Sequence, residues 1–253
     1  MVRKYKKITA AILVIGNEIL SGRTKDQNVA YLANWLNENL GIEILEVRIV
    51  PDIEKKISEN VINLSKKYNY VLTTGGIGPT HDDITAKSIS KAFKKKYTYQ
   101  IEAFKILQKY YGNKNFNDSR KKMAKMPEGS QLIYNPSSAA PGFIIKNVIC
   151  LPGVPSILQS MLHNLKKYLK PGFKIYSKTI SVRTVESKIA SILEKIQITY
   201  KKNVSIGSYP FFRLGKVGVS IVIRSEKKEM LKSCHNKIVK IFEKKQIKFL
   251  KDL

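Results

Sequence analysis

Thr9 to Ile15 is an unbroken and largely β-branched apolar run. A strand without a polar face must be covered on both sides, as in a parallel sheet held between two layers of helix. The segments that follow supply those layers. Val29, Leu32, Leu36 and Leu40 recur at helical spacing, and Gly41 stands where a helix C-cap belongs. Ile42 to Val50 alternates as a strand, Pro51-Asp52 breaks it, and Ile53, Ile57, Val61 and Leu64 mark a second amphipathic helix. Tyr70 to Thr73 is a third strand. Three strands joined by helical crossovers predict right-handed βαβ units in a doubly wound, mostly parallel sheet, an α/β fold of three layers.

Further on, Ile101, Phe104, Leu107 and Tyr111 predict a helix stopped at Gly112, and Asn117-Asp118 begins another that ends before Pro127. Phe143–Ile145 and Val148–Leu151 flank Lys146-Asn147 as a tight hairpin. Ile157, Met161, Leu165 and Leu169 form a last helix, which closes a first domain of residues 1–170. After Pro171-Gly172 the order changes to strand, helix, two strands and a lysine-rich helix, a small α+β domain over residues 174–253.

The longest apolar stretch, Ala10 to Ile15, is far short of the roughly 20 residues that span a bilayer, so no transmembrane helix is expected. The basic start superficially matches a signal peptide, but Gly16-Asn17-Glu18 follows where a small-residue cleavage site should lie. Cys150 and Cys234 have no metal-ligand or redox spacing, and a reducing cytoplasm is the expected setting. The formal net charge is +27. It is uneven: residues 1–90 hold 12 basic and 10 acidic side chains, leaving the excess to the remainder. Only seven of the 46 basic residues are arginine, whereas bidentate phosphate and base recognition favours the guanidinium fork. The lysines therefore read as compositional background that helps attract anions, and nucleic-acid binding is the lesser reading.

The stretch richest in chemistry is Thr73-Thr74-Gly75-Gly76-Ile77-Gly78-Pro79-Thr80-His81-Asp82-Asp83-Ile84-Thr85. It leaves the carboxyl end of a buried strand, passes three glycines, and enters a helix expected to begin near Asp82. Free N–H groups at such a turn suit a phosphate. One carboxylate of Asp82 and Asp83 would serve to cap the helix. Two beside a glycine loop would repel a phosphate unless a hard divalent cation lay between them. Asn17, Glu18 and Ser21 follow the first strand and reach the same sheet edge. Asp52 follows the second strand; alone it reads as the N-cap of the helix at Ile53. Asn135 to Gly142, and Leu151-Pro152-Gly153-Val154-Pro155-Ser156, are further glycine-containing turns able to hold a second phosphate. Among the histidines only His81 lies within such a loop; His163 and His235 read as surface or packing residues.

Six motifs taken together resemble the CinA family. They are Gly16 to Arg23 with Asn28, Thr73 to Thr85, Met126-Pro127-Glu128-Gly129, Asn135-Pro136, Ala140-Pro141-Gly142-Phe143, and Leu151 to Ser156. The resemblance covers about residues 9–170, the molybdopterin-binding-like (MoaB/Mog) domain, which also occurs at the N-terminus of eukaryotic FAD synthase. Residues 174–253 resemble the KH-like module that follows it, with Gly207-Ser208-Tyr209-Pro210 and Gly215-Lys216-Val217-Gly218-Val219 as landmarks. The G-x-x-G pattern of Gly215 to Gly218 reads as a hairpin turn before a strand, whereas in RNA-binding KH domains it joins two helices.

The resemblance implies a site at the strand carboxyl ends. It implies function for Asp52 and Asp83, and places a pterin phosphate and its adenylate on the Gly-Gly and Leu-Pro-Gly loops. CinA-like members are similar to a divalent-metal and potassium-dependent pyrophosphatase acting on ADP-ribose or FAD. Full-length members continue into an amidase domain, and no amidase activity is expected of these residues. The leading expectation is a hydrolase, a nucleotide pyrophosphatase, with Glu18, Asp82 and Asp83 as catalytic residues that hold Mg²⁺, Mn²⁺ or Co²⁺. Asn17, Ser21, Asn28, Asp52, Thr74, Gly75, Gly76, Gly78, Thr85, Pro152, Gly153 and Ser156 would bind the substrate. The alternatives are a molybdopterin-binding or molybdenum-cofactor protein using the same pocket, and a non-catalytic nucleic-acid binder. Relatives also suggest self-association as a dimer or trimer.

Overall fold

A computed structural model describes residues 7–213 and 216–250. The chain divides after Gly172 into two compact units. The first unit runs β1 (Ile8–Ile15), α1 (Asn17–Leu20), α2 (Asn28–Leu40), β2 (Ile42–Val50), α3 (Glu54–Lys67), β3 (Tyr70–Thr74) and α4 (Thr85–Ala92). It continues through β4 (Tyr97–Tyr99), α5 (Ile101–Tyr111), α6 (Asp118–Lys122), β5 (Lys125–Pro127), β6 (Gln131–Ile133), β7 (Gly142–Ile145), β8 (Val148–Leu151) and α7 (Pro155–Leu165).

The six-stranded sheet has the order β2-β1-β3-β8-β7-β6. β2, β1, β3 and β8 are parallel, while β7 and β6 are antiparallel additions. The apolar run behaves as its composition demands. Ala11, Leu13 and Ile15 join one core cluster with Ile57, Val61 and Leu64 of α3; Ala10, Ile12 and Val14 join the other with Leu32, Leu36 and Leu40 of α2. Helices thus cover both faces in three layers. The chain leaves β1 for β2 on one side and leaves β3 for the opposite side of the sheet, so the crevice between these strands is the topological switch point, where open α/β sheets place their ligands.

Three elements differ from the sequence reading. α4 begins at Thr85 rather than near Asp82, because Thr85 N closes back on Gly76 O at 3.0 Å and the intervening residues form a separate turn. Gly16 to Arg23, read as a loop, contains the single-turn α1. β4 and β5 make a small antiparallel sheet of their own, so the segment after α6 is extended from Lys125.

In the second unit, β9 (Tyr176–Val182), α8 (Glu186–Tyr200), β10 (Ser205–Arg213), β11 (Lys216–Ser225) and α9 (Lys228–Lys244) give an antiparallel sheet of order β10-β11-β9. Val219, Ile221 and Ile223 pack against Leu193 and Ile196 of α8 and Ile238 and Phe242 of α9. The start of the G-x-x-G run, Gly215, lies outside the described residues; Gly218 pairs with Phe211 inside β11.

Candidate functional site

Three parallel strands end at the switch point, and their loops are pressed together by backbone. Gly75 has φ +98°, and a Cβ there would stand 2.2 Å from the carbonyl oxygen of Ile15 at the end of β1. Only glycine tolerates both conditions. Gly153, after β8, would bring a Cβ to 3.3 Å from Gly75 Cα. Asn28, at the start of α2, is 4 % exposed and donates from Nδ2 to Gly153 O at 2.7 Å. Its Oδ1 is buried with no donor, an unfilled acceptor at the meeting point of the loops.

Beyond Gly75 the chain turns inward. Gly76 has φ +68°, and Thr85, fully buried, donates through Oγ1 to Gly75 O at 3.0 Å. The N–H groups of Gly76, Ile77 and Gly78 find no acceptor among the described residues. Successive unpaired N–H groups of this kind form an anion-binding concavity.

The acidic pair is organised by Thr80 rather than by a helix. Thr80 N donates to Asp83 Oδ2 at 2.8 Å, and Thr80 Oγ1 lies 2.5 Å from both Asp83 Oδ2 and Asp82 Oδ1. A hydroxyl has one hydrogen, so it satisfies only one of two carboxylates held this close. The turn therefore concentrates negative charge that a cation would relieve. The Asp82 carboxyl is held below its ordinary value, first by the Thr80 hydroxyl, then by its own backbone N–H, with smaller help from the charges of His81 and Lys122.

The remaining candidates divide. Asp52 is not the N-cap of α3, a position held by Ile53; its Oδ2 accepts from Asn17 N at 2.8 Å and ties the end of β2 to the turn after β1. Glu18 is exposed and folds back on its own turn, so that a Cβ on Gly16 would lie 2.5 Å from both carboxylate oxygens. Among the described residues no three His, Cys, Asp or Glu side chains gather as a metal group. Asp82 and Asp83 share the turn after β3, while Glu18 lies in the turn after β1. Ser21 is exposed and caps Glu18 O locally at 3.3 Å. Thr74 is buried at the end of β3, Pro152 is half-buried, and Ser156 is exposed in the first turn of α7. Asn135 uses its amide inside its own loop, on Ser137, Ser138 and Ala140.

The lysines of 121–125 escaped the sequence reading. A recess beside the acidic turn is lined by Gly76, Gly78, Asp83, Tyr97, Lys122 and Lys125, with Phe143 and Met126 at its apolar side. Lys122 Nζ donates to Thr80 O. Burial pushes the Tyr97 phenol up to about 12, so it remains a neutral donor. Composition hid these groups: one lysine among so many carries no signal until the β4–β5 pairing places it.

The two free cysteines are buried, Cys150 against the Thr73 hydroxyl. Among the described residues no helix is long and apolar enough to cross a membrane.

Comparison with known proteins gives matches over both units. Residues 11–171 match the family model of a probable molybdopterin binding domain, and residues 174–251 that of the FAD synthase middle domain. An Archaeoglobus fulgidus protein is 35% identical over 79% of this chain and 84% of its own length. A putative competence-damage inducible protein of Clostridium botulinum is 32% identical over 96% of the chain, which spans 60% of that relative. Among solved structures, the protein CinA with unknown function from Thermoplasma acidophilum superposes with a TM-score of 0.60 at 31% identity, covering 64% of this chain and 99% of that one.

Proposed function

The chain belongs to the CinA family, with a MoaB/Mog-like domain followed by an FAD synthase middle domain, and on that premise we propose that it is a metal-dependent nucleotide pyrophosphatase. Its substrate would be a diphosphate such as ADP-ribose or FAD, held at the switch point of the first unit. The observation that carries this reading is the juxtaposition of an unpaired N–H row at Gly76 to Gly78 with two carboxylates sharing one hydroxyl at Thr80. The N–H row binds phosphate oxygens and the carboxylate pair repels them, so the two act together only with a cation between.

Asp82 and Asp83 would hold that cation, in keeping with the one or two carboxylates Mg²⁺ takes beside phosphate oxygens. Bound there, it supplies Lewis acidity and a more acidic water. The protein's own residues do the rest. Thr80 fixes both carboxylates and holds the Asp82 carboxyl below its ordinary value. The Gly76–Gly78 N–H groups orient a phosphoryl group. Asn28 Oδ1, buried and lacking a donor, offers an acceptor to a substrate hydroxyl or amine. Hydrolysis adds water across the P–O–P bridge and releases two monophosphates.

A second reading, binding of a pterin phosphate without hydrolysis, is favoured by the family model matched over residues 11–171. One assay separates the two: incubation of the full chain with ADP-ribose or FAD and Mg²⁺, Mn²⁺ or Co²⁺, with and without K⁺. Hydrolysis releases mononucleotides, and an Asp83→Ala variant should lose about 100-fold or more of the rate.

A further inference from the structure

A sheet edge offers its backbone to any passing strand, and most edges here are blunted. β6 has three residues, β10 carries Pro210, and β9 carries Lys178 and has Phe249 alongside Val182. β2 is the exception. It stands at one end of the six-stranded sheet, is nine residues long, and holds neither lysine nor proline in a lysine-rich chain. Glu46 and Arg48 turn to the α3 side, where they bond each other, Lys67, Tyr68 and Asn60. The residues between and beside them, Leu45, Val47 and Ile49, are 51%, 42% and 44% exposed. They form an uncovered apolar stripe along an unprotected edge.

The backbone is open there as well. Val50 O accepts from Gly16 N at 3.2 Å and so turns towards β1; by alternation the N–H and C=O groups of Val47 and Ile49 point away from the sheet. The register shift of β2 lies opposite Ala10 and Ala11, and Glu46–Val50 is regular. The sequence of this edge fits its own copy. In an antiparallel pair with its twofold axis at Val47, Val47 faces Val47 of the second copy, Leu45 faces Ile49, and Glu46 faces Arg48. An axis at Glu46 or at Arg48 would set like charges directly opposite, and a slip of one residue would throw the stripe to the other face. Charge also permits the meeting: residues 1–90 hold 12 basic and 10 acidic side chains, so these regions of two copies repel little despite the net charge of +27.

We propose that β2 is a homodimer interface, at which two copies of this chain join their six-stranded sheets edge to edge by antiparallel pairing about Val47. Val47 exchanges both backbone hydrogen bonds with its copy. The apolar stripes become continuous on one face, and on the other the Glu46–Arg48 pairs of the two copies join into one cluster of alternating charge. The inference rests on the edge alone and stands whether or not the turn after β3 hydrolyses a diphosphate.

Analytical ultracentrifugation of the full chain tests the interface. The wild type should sediment as an assembly, and Val47→Lys, which sets two ammonium groups against each other at the axis, should halve its mass while leaving the circular dichroism spectrum unchanged. Single cysteines then test the register, since Cys150 and Cys234 are both buried. Cα atoms facing each other in a hydrogen-bonded antiparallel pair stand about 5.5 Å apart, so Val47→Cys should form an intermolecular disulfide under mild oxidation. Leu45→Cys should not, because Leu45 and its copy would lie about four residues apart along the pair, about 13 Å. A monomeric wild type, an assembly whose mass survives a folded Val47→Lys, or cross-linking of Leu45→Cys as readily as Val47→Cys overturns the proposal. Should Val47→Lys not fold, the two cysteine variants decide it on a non-reducing gel: a cross-link at Val47→Cys alone supports the interface, and any other pattern overturns it.

Discussion

The turns that follow β1 and β3 leave adjacent strands at one sheet edge, yet they are built on opposite principles. After β3 the backbone is pinned by its own close approaches: Gly75 against Ile15 O, Thr85 against Gly75 O and Gly76 O, Asp83 against Thr80. After β1, Glu18 folds back on Gly16, Ser21 bonds within the turn, and Gly22 has open space around it. Asp52 is the side chain that fastens this turn to a neighbouring strand. The turn after β3 carries the paired carboxylates and the unpaired N–H row; the turn after β1 closes on itself through Ser21 N to Asn17 O and Thr24 N to Glu18 O and carries one carboxylate, Glu18. Pre-organisation against a developing charge requires fixed groups, so under the proposed function the β3 turn would carry the chemistry.

Substitutions that treat both turns alike should break this symmetry of position. The largest effect on stability is expected at Gly75: alanine there meets backbone at 2.2 Å in a left-handed conformation and should cost about 3 kcal/mol or more. Gly22→Ala, with φ +72° and nothing within 4 Å, should cost about 1 kcal/mol, both read from denaturant unfolding. For activity the order is the same: Asp83→Asn should remove most turnover at unchanged stability, while Glu18→Gln should keep it within about 10-fold. Equal losses in the two would add Glu18 to the metal set. Next comes Asp52→Ala, which frees Asn17 N at an exposed charged hydrogen bond and should cost about 1 kcal/mol or less.

The smallest effect is the pH dependence of the turn after β3. Asp82 has a folded-state value below the ordinary one, so its contribution to stability is present in full above about pH 4 and fades as pH falls through the depressed value. Carbon-detected NMR titration of the carboxyl should find it below its unfolded value, and Thr80→Val should bring it back up, because the Thr80 hydroxyl is the leading cause. An Asp82 midpoint unmoved by Thr80→Val would show that the hydroxyl does not organise the pair.

Elements with a long hydrophobic period were legible in the sequence. The β1 run is covered on both faces, α2 ends at Gly41 in the left-handed conformation with φ 61°, and α5 begins on Gln100 and stops at Gly112. β4 and β5 were not, since three residues define no period and their pairing joins segments nearly thirty positions apart. The acidic pair was legible as two neighbouring carboxylates beside a glycine loop, but its geometry was not. Its distance from α4 follows from Thr80, whose side chain takes up the carboxylates before the helix starts at Thr85. Asp52 deceived for a related reason: position before a helix suggests a cap, whereas the parallel pairing of β1 with β2 offered it Asn17 N instead. Lys122 and Lys125 were indistinguishable in a lysine-rich chain, because partial burial is a tertiary property.

The central claim is that the turn after β3 hydrolyses a diphosphate. Product analysis of the full chain with ADP-ribose and with FAD, across Mg²⁺, Mn²⁺ and Co²⁺, tests it when wild type and Asp83→Ala are matched for thermal unfolding midpoint. The account predicts paired mononucleotide products from the wild type and a rate lower by about 100-fold or more from the variant. Equal rates from the two proteins, or no product from the wild type with any of these metals, would contradict it.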